Sequence, residues 1–172
     1  MHRVLPTLLG GLLLLLFGCD RSGSDYTIAT ENPAGWREAQ PLTIDSTTLF
    51  AEIAITPTEQ QMGLMHRENL GEDNGMIFIY GQPRQMTFWM KNTLIPLDIG
   101  FFSQTGELLQ VARMYPRDRD TTASDSDQVC FALEMNQGWF RSKGIKPGAQ
   151  LDLGTLRQAL AARGVDPKEY GL

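Results

Sequence analysis

An aromatic ring, an ammonium group and an amide follow one another closely at Trp89, Lys91 and Asn92, inside an otherwise apolar stretch. A flat ring beside such polar groups is suited to bind a carbohydrate or a small anion. The alternative is a tryptophan in the core with a lysine whose charged end reaches solvent. The spacing leaves both interpretations open, with the core interpretation favoured.

Two acidic residues, Asp98 and Glu134, are each flanked by large apolar residues. Each should therefore point to the strand face opposite its immediate neighbours. An acid that points inward must find a partner or shift its pKa, and Arg67 and Lys91 are the candidate counter-charges. We expect a buried ion pair that holds the strand register. The catalytic alternative, a cell-envelope hydrolase, requires the two carboxyl groups in one pocket within about 10 Å of each other.

The sequence gives little support for metal binding or for a cysteine nucleophile. Apart from His2, His66 is the only histidine, which excludes a zinc site of recognisable spacing. The acidic loop 118–127 lacks the glycine and glutamate that a calcium-binding EF-hand loop needs at its sixth and twelfth places. Cys130 lies in an apolar run typical of an inert core cysteine. We therefore predict no metal, no cofactor and no catalytic residue.

The first residues indicate export. Arg3 precedes the apolar run 8–18, which is too short for a membrane-spanning helix of about 20 residues and is typical of a signal peptide. The run ends in Leu-Phe-Gly-Cys, which resembles a lipobox, although phenylalanine is bulkier than usual there. This predicts a signal peptide over 1–18 and lipidation at Cys19, with several acyl chains as a membrane anchor. The alternative is an ordinary secretory signal. Asp20 resembles the retention signal for the periplasmic face of the inner membrane in Gram-negative bacteria.

Composition limits the partners and the domain count. The net charge of −5 with no basic run makes nucleic acid an unsuitable partner. With only two cysteines, one of them predicted to be lipidated, no disulfide framework is expected. The polar segment 19–41 is predicted to be the lipidated N-terminus and a flexible tether. Residues 42–153 then form one β domain, and residues 154–172 a C-terminal helix and tail.

Periodicity predicts mainly strands. Thr56, Pro57 and Glu59 form a capping box that predicts a short helix over 57–64. Alternating apolar residues and hairpin-type turns predict the strands, which span 49–55, 74–80, 86–90, 97–102, 108–114 and 129–135. A helix is predicted over 155–163, closed by Gly164. The fold class is therefore mainly β, a single small barrel-like or sandwich-like domain with a short helix after the first long strand and a C-terminal helix.

Three blocks in order, "GLMHRENL", "NGMIFIY" and "FWMKNTLIPLDIGFF", resemble the domain of unknown function 192, DUF192, also designated UPF0127. The resemblance covers about residues 43–153. It implies a compact, mainly β domain in a family whose members are often exported, and it implies no reaction, cofactor or catalytic residue. The matching charged and polar positions are Glu52, Arg67, Trp89, Lys91, Asn92, Asp98 and Glu134.

The leading functional hypothesis is a non-enzymatic, membrane-tethered extracytoplasmic binding domain for a small molecule or a carbohydrate. Its candidate site comprises Arg67, Trp89, Lys91, Asn92, Asp98 and Glu134. The hydrolase that uses Asp98 and Glu134 is one alternative. A second alternative is an assembly module that binds an envelope protein through an exposed apolar patch at Trp139, Phe140 or the C-terminal helix.

Overall fold

A computed structural model describes residues 37–172 of the chain. The predicted signal peptide, the predicted lipidation site Cys19 and most of the predicted tether lie outside the described residues. None of the helices within residues 37–172 is long and apolar enough to cross a bilayer.

The described chain forms eight strands, three α-helices and one 3-10 helix. In chain order they are β1 Gln40–Ile44, β2 Thr47–Ala54, α1 Pro57–Met62, β3 Asn74–Arg84, β4 Thr87–Phe88, β5 Leu97–Ser103, β6 Leu108–Met114, β7 Thr122–Ala123, β8 Val129–Asn136, α2 Trp139–Ser142, α3 Leu153–Ala162 and the 3-10 helix Pro167–Tyr170. The expectation of a mainly β domain with a short helix after the first long strand and a C-terminal helix is confirmed. β1 was not predicted, and it begins within the last two residues of the predicted tether.

Six strands form one mixed sheet in the order β1-β2-β3-β8-β5-β6, and β4 pairs only with β7. β2 and β3 run parallel, and the other neighbours run antiparallel. The sheet is not a closed barrel. Its edge strands β1 and β6 do not pair with each other. Segment 148–152 lies between them, and it is joined to both sides by the bridges Ile44–Leu151 and Glu107–Gln150 and by backbone hydrogen bonds to Thr43 and Leu108. This segment is not itself a strand of the sheet.

The capping box sets the start of α1. The Thr56 hydroxyl oxygen accepts a hydrogen bond from the Glu59 N–H at 3.3 Å, and the Glu59 carboxylate accepts one from the Thr56 N–H at 3.0 Å. The helix ends at Met62, two residues before the predicted end, because Gly63 takes φ +45°. This early end releases residues 63–66 from the helix and lets them turn toward the segment after β4.

The apolar side chains form two cores on the two faces of the sheet. Alternate apolar residues along segment 88–101 all lie in the second core, as strand alternation requires: they are Phe88, Met90, Leu97, Ile99 and Phe101. Trp139 and Phe140 lie in the first core, where both are almost fully buried. Because both side chains are buried, they form no exposed apolar patch. The surface expected to bind a protein partner is therefore not present at these two residues.

The C-terminal helix α3 completes the first core. Asp152 caps it by accepting a hydrogen bond from the Gly154 N–H at 2.7 Å. Leu156, Ala159 and Leu160 are buried against the sheet. Residues 154–172 were predicted to lie outside the β domain, and the structure shows that this helix packs as part of its core.

Candidate functional site

A groove of about 290 Å³ lies between the end of α1 and the segment that follows β4. Its lining residues are Thr58, Gln61, Met62, Met65, His66, Trp89, Lys91 and Asn92. Three of the predicted site residues, Trp89, Lys91 and Asn92, therefore meet in one open cavity.

Trp89 presents its ring to this groove. Its neighbours Phe88 and Met90 are buried, while Trp89 is 43% exposed. The favoured interpretation of a core tryptophan is wrong, because alternation sends Trp89 outward when its neighbours turn inward. The Lys91 ammonium lies 5.0 Å from the ring centroid, within cation–π distance. Lys91 thus holds a positive charge beside an exposed aromatic face.

Three residues in and beside the groove have an uncommon backbone conformation. His66, Asn92 and Arg117 have φ values of +63°, +60° and +62°. Left-handed non-glycine residues cost on the order of 1–3 kcal/mol each and cluster at functional sites. Two cross-loop hydrogen bonds fix them: the His66 N–H donates to the Asn92 carbonyl at 2.9 Å, and the Arg117 N–H donates to the Thr93 carbonyl at 3.0 Å. The turn after α1 and the segment after β4 are therefore joined at the groove, and the loop that carries Arg117, which does not line the groove, is joined to the second of them.

A basic basin of about 200 Å³ adjoins the groove. It is lined by His66, Lys91, Asn92, Leu94, Arg117 and Arg119. Within residues 37–172 no salt bridge joins Lys91, Arg117 or Arg119 to a carboxylate. The Asp118 carboxylate does not line the basin, and it accepts a hydrogen bond from the Asp120 N–H at 3.0 Å. These unpaired cations in an acidic protein favour an anionic ligand group.

Glu134 lies beneath the groove. It is 5% exposed and lines a small cavity of about 30 Å³ with Thr93 and Trp89. Within the described residues its carboxyl group makes no hydrogen bond and no ion pair. Burial raises the pKa of Glu134 from 4.5 to about 8. The expected ion pair with Arg67 or Lys91 is not formed.

Arg67 pairs instead with Glu52, which sequence reasoning placed in the first long strand but did not recognise as a partner. Desolvation raises the pKa of Glu52 despite the neighbouring charges of Arg67 and Arg37. Strand pairing aligns Glu52 with Met76 and Met76 with Glu134, so the two glutamates lie in one row across β2, β3 and β8. Arg67 does not line the groove, and its ion pair anchors the loop after α1 to β2.

Asp98 lies on the other face of the sheet. Ile99 pairs directly with Glu134, so these two side chains share a face and Asp98 points to the opposite one. One Asp98 carboxylate oxygen accepts a hydrogen bond from the Gly138 N–H at 2.7 Å, and Asp98 lines a separate depression of about 250 Å³. The hydrolase alternative required both acids in one pocket, and the sheet separates them.

The remaining reactive groups do not add to the site. Cys130 is buried as expected, and burial raises the pKa of its thiol, so it is not poised as a nucleophile. Within residues 37–172 no three histidine, cysteine or acidic side chains cluster as a metal site would require. Four residues of the groove and the basin were not predicted as site residues, because their convergence depends on contacts between distant segments: Met62, Met65, Arg117 and Arg119.

The fold and the signature blocks define a member of an uncharacterised family. The family model DUF192, described as "Uncharacterized ACR", matches residues 40–153, and the chain belongs to this family. A protein of unknown function from Novosphingobium aromaticivorans DSM 12444 is 36% identical, with a TM-score of 0.63, over 66% of this chain and 84% of that one.

A second solved structure has the same fold. It is a protein from Sinorhizobium meliloti 1021 described as a proposed transcription regulator, 29% identical with a TM-score of 0.64 over 66% of this chain and 92% of that one. None of the curated proteins matches the chain. The family and its fold are thereby established, and the two relatives bring no reaction.

Proposed function

We propose that this protein is a membrane-tethered extracytoplasmic binding domain whose ligand is a small anionic carbohydrate. The single observation that carries the proposal is the exposed Trp89 ring in an open groove, with the Lys91 ammonium 5.0 Å from the ring centroid. A sugar presents an apolar C–H face to such a ring and hydroxyl groups to the polar side chains around it.

The dimensions and charge of the groove support a small acidic ligand. Its volume of about 290 Å³ is at the lower end of ligand pockets, which begin near ~300 Å³. The basic basin shares His66, Lys91 and Asn92 with the groove, so a ligand on Trp89 can direct a carboxylate or phosphate toward Arg117 and Arg119. A role in transcription, as the description of the S. meliloti protein suggests, is not proposed because the net charge is −5.

The location rests on the sequence of the first residues. The apolar run 8–18 and the lipobox-like residues that end at Cys19 support export and lipidation. Cys19→Ala is expected to abolish incorporation of labelled lipid and to leave the precursor unprocessed, because the thiol that carries the anchor is gone. Metabolic labelling with a radioactive fatty acid and membrane fractionation measure both effects. Normal processing and normal membrane association of this variant would contradict the lipoprotein proposal.

Binding to the full chain is measured by isothermal titration calorimetry, with hexoses and the matching uronic acids as ligands, so that the readout does not depend on the tryptophan that is replaced. Trp89→Ala is expected to weaken binding of every ligand by about threefold to tenfold, because the stacking surface is lost. Arg119→Gln is expected to remove only the preference for uronic acids, by a few-fold, since an exposed charge pair contributes about 1 kcal/mol or less.

The matched control is Phe50→Ala, because Phe50 is 45% exposed, much as Trp89 is, and does not line the groove. This control should bind as the wild type does. Lys91→Ala should weaken binding of uronic acids while its melting temperature stays within a degree or two of the wild type, because Lys91 is exposed. Equal affinity of Trp89→Ala and the wild type, or a large loss of stability in Lys91→Ala, would reject the groove as a ligand site.

A further inference from the structure

The groove also gathers the accessible soft donor atoms of the described chain. Five of the methionines in residues 37–172 are at most 3% exposed, and these are Met76, Met86, Met90, Met114 and Met135. The remaining two, Met62 and Met65, both line the groove, and Met62 is 42% exposed. His66, the only histidine within residues 37–172, lines the same groove. An imidazole and two solvent-reachable thioethers are thus concentrated at one place.

These donors lie on one anchored turn. Met62 is the last residue of α1, and the Met65 N–H donates to the Met62 carbonyl at 3.0 Å. The His66 N–H then donates to the Asn92 carbonyl at 2.9 Å, which joins the turn to the segment that carries Trp89. Three donor side chains therefore come from five consecutive residues and face the wall that holds the indole.

The sulfur atoms are directed toward polar surroundings. The Met62 sulfur lies 3.1 Å from a terminal guanidinium nitrogen of Arg37. The Met65 sulfur lies 4.0 Å from the Asn92 amide nitrogen. Methionine sulfur normally fills gaps in apolar cores, whereas these two thioethers contact polar groups. Because the Met62 sulfur accepts a hydrogen bond from the Arg37 guanidinium, an ion bound by this sulfur must replace that hydrogen bond.

The donor set indicates a particular kind of ion. Thioethers select soft ions such as Cu(I), and imidazole also suits copper. The groove lining contains no carboxylate, so it offers nothing to calcium or magnesium. A cation held at this turn faces the indole of Trp89, whose ring attracts positive charge. The Lys91 ammonium and the Arg37 guanidinium both repel a further cation. A monovalent ion is repelled less than a divalent one.

We propose that Met62, Met65 and His66 bind the soft monovalent cation Cu(I), with Ag(I) as its redox-stable equivalent, against the indole ring of Trp89. The two proposals use different groups for recognition, since the metal donors lie on the α1 side of the groove. Both place their ligand against Trp89, so the two ligands are expected to compete for the groove. The two proposals also differ in the role of Lys91. Lys91 assists an anionic sugar and opposes a cation, so one substitution moves the two affinities in opposite directions.

The test is a titration of the full chain in detergent with Ag(I) in chloride-free buffer, and with Cu(I) in competition with bicinchoninate. Accessible thiols are first alkylated with N-ethylmaleimide, because a free thiolate would also bind these ions. Met62→Leu, Met65→Leu and His66→Ala are each expected to weaken binding by at least about tenfold. Lys91→Gln is expected to strengthen it by a few-fold. Met114→Leu, in the second core, is the matched control and should bind as the wild type does.

Residues outside the described range are the same in every variant, so differences between variants isolate the groove. Circular dichroism melts verify that each variant is folded. The proposal is overturned if the three variants bind Ag(I) and Cu(I) as tightly as the wild type, or if Lys91→Gln weakens metal binding. Normal metal binding without binding of any sugar would sustain this proposal and reject the carbohydrate ligand. Sugar binding without metal binding at the groove would reject this proposal and sustain the carbohydrate ligand.

Discussion

The protein is expected to lose stability as the pH rises from 5 to 9, and Glu134→Gln is expected to remove most of that loss. Burial raises the pKa of Glu134 in the folded state to about 8, while an ordinary glutamate in the unfolded chain has a pKa near 4.5. A raised folded-state pKa contributes stability that is fully present below the unfolded pKa and is lost as the pH passes through the folded pKa. The difference corresponds to roughly 3–5 kcal/mol at alkaline pH.

Denaturant unfolding at pH 5, 7 and 9 measures this effect. Glu52 contributes in the same direction, because desolvation also raises its pKa, so a smaller slope should remain in Glu134→Gln. Glutamine keeps the shape of the protonated acid, and at pH 9 the variant is expected to be more stable than the wild type. An unchanged dependence on pH in the variant would show that Glu134 is not held protonated in the fold.

Arg163→Leu is expected to destabilise the protein by about 3–5 kcal/mol, since it leaves a buried carboxylate without its counter-charge. Arg163 and Glu59 are 4% and 2% exposed at their side chains, and one guanidinium nitrogen lies 2.7 Å from a Glu59 oxygen. The guanidinium also donates to the Ile53 carbonyl. This ion pair joins the end of α3 to α1 and β2, so its loss affects the packing of the whole C-terminal helix.

The pH dependence of this pair has the opposite sign to that of Glu134. Desolvation alone would raise the pKa of Glu59, but the hydrogen bonds from Arg163, Thr56 and Ile55 outweigh it and lower the pKa. The stability from the pair is therefore present above the ordinary pKa of about 4.5 and is lost as the pH falls further.

Thermal and denaturant unfolding of Arg163→Leu test the strength of the pair. Arg157→Leu is the matched control, because Arg157 lies exposed on the same helix. It should change the free energy of unfolding by about 0.5 kcal/mol or less. A loss of under about 1 kcal/mol in Arg163→Leu would contradict the structural role assigned to the pair.

Local patterns predicted the elements well, and they failed where distant segments meet. The capping box at Thr56 and the alternation around Phe88 and Met90 depend on neighbouring residues, and both predictions are confirmed. β1 was missed because its alternation is short and adjoins a polar segment. The sequence left a barrel-like and a sandwich-like domain open, because closure depends on whether two distant edges pair, which no single strand encodes.

The arrangement of the site residues likewise depends on contacts between distant segments. Alternation correctly separated Trp89 from its buried neighbours. It could not tell whether the face that carries Trp89 meets solvent or another part of the core. Asp98 and Glu134 appeared equivalent in the sequence, and only the pairing of Ile99 with Glu134 places them on opposite faces. The second wall of the groove comes from the turn after α1, whose position depends on the hydrogen bond between His66 and Asn92.

Both functional proposals share the claim that the groove beside Trp89 is the ligand site, and an NMR titration of the indole N–H signals tests it most directly. The Trp139 indole N–H is an internal control, because it donates to Asp73 at 2.9 Å and belongs to a buried residue. On addition of a uronic acid or Ag(I), the Trp89 signal is predicted to shift while the Trp139 signal stays in place. An unchanged Trp89 signal with either ligand at saturating concentration would contradict the account.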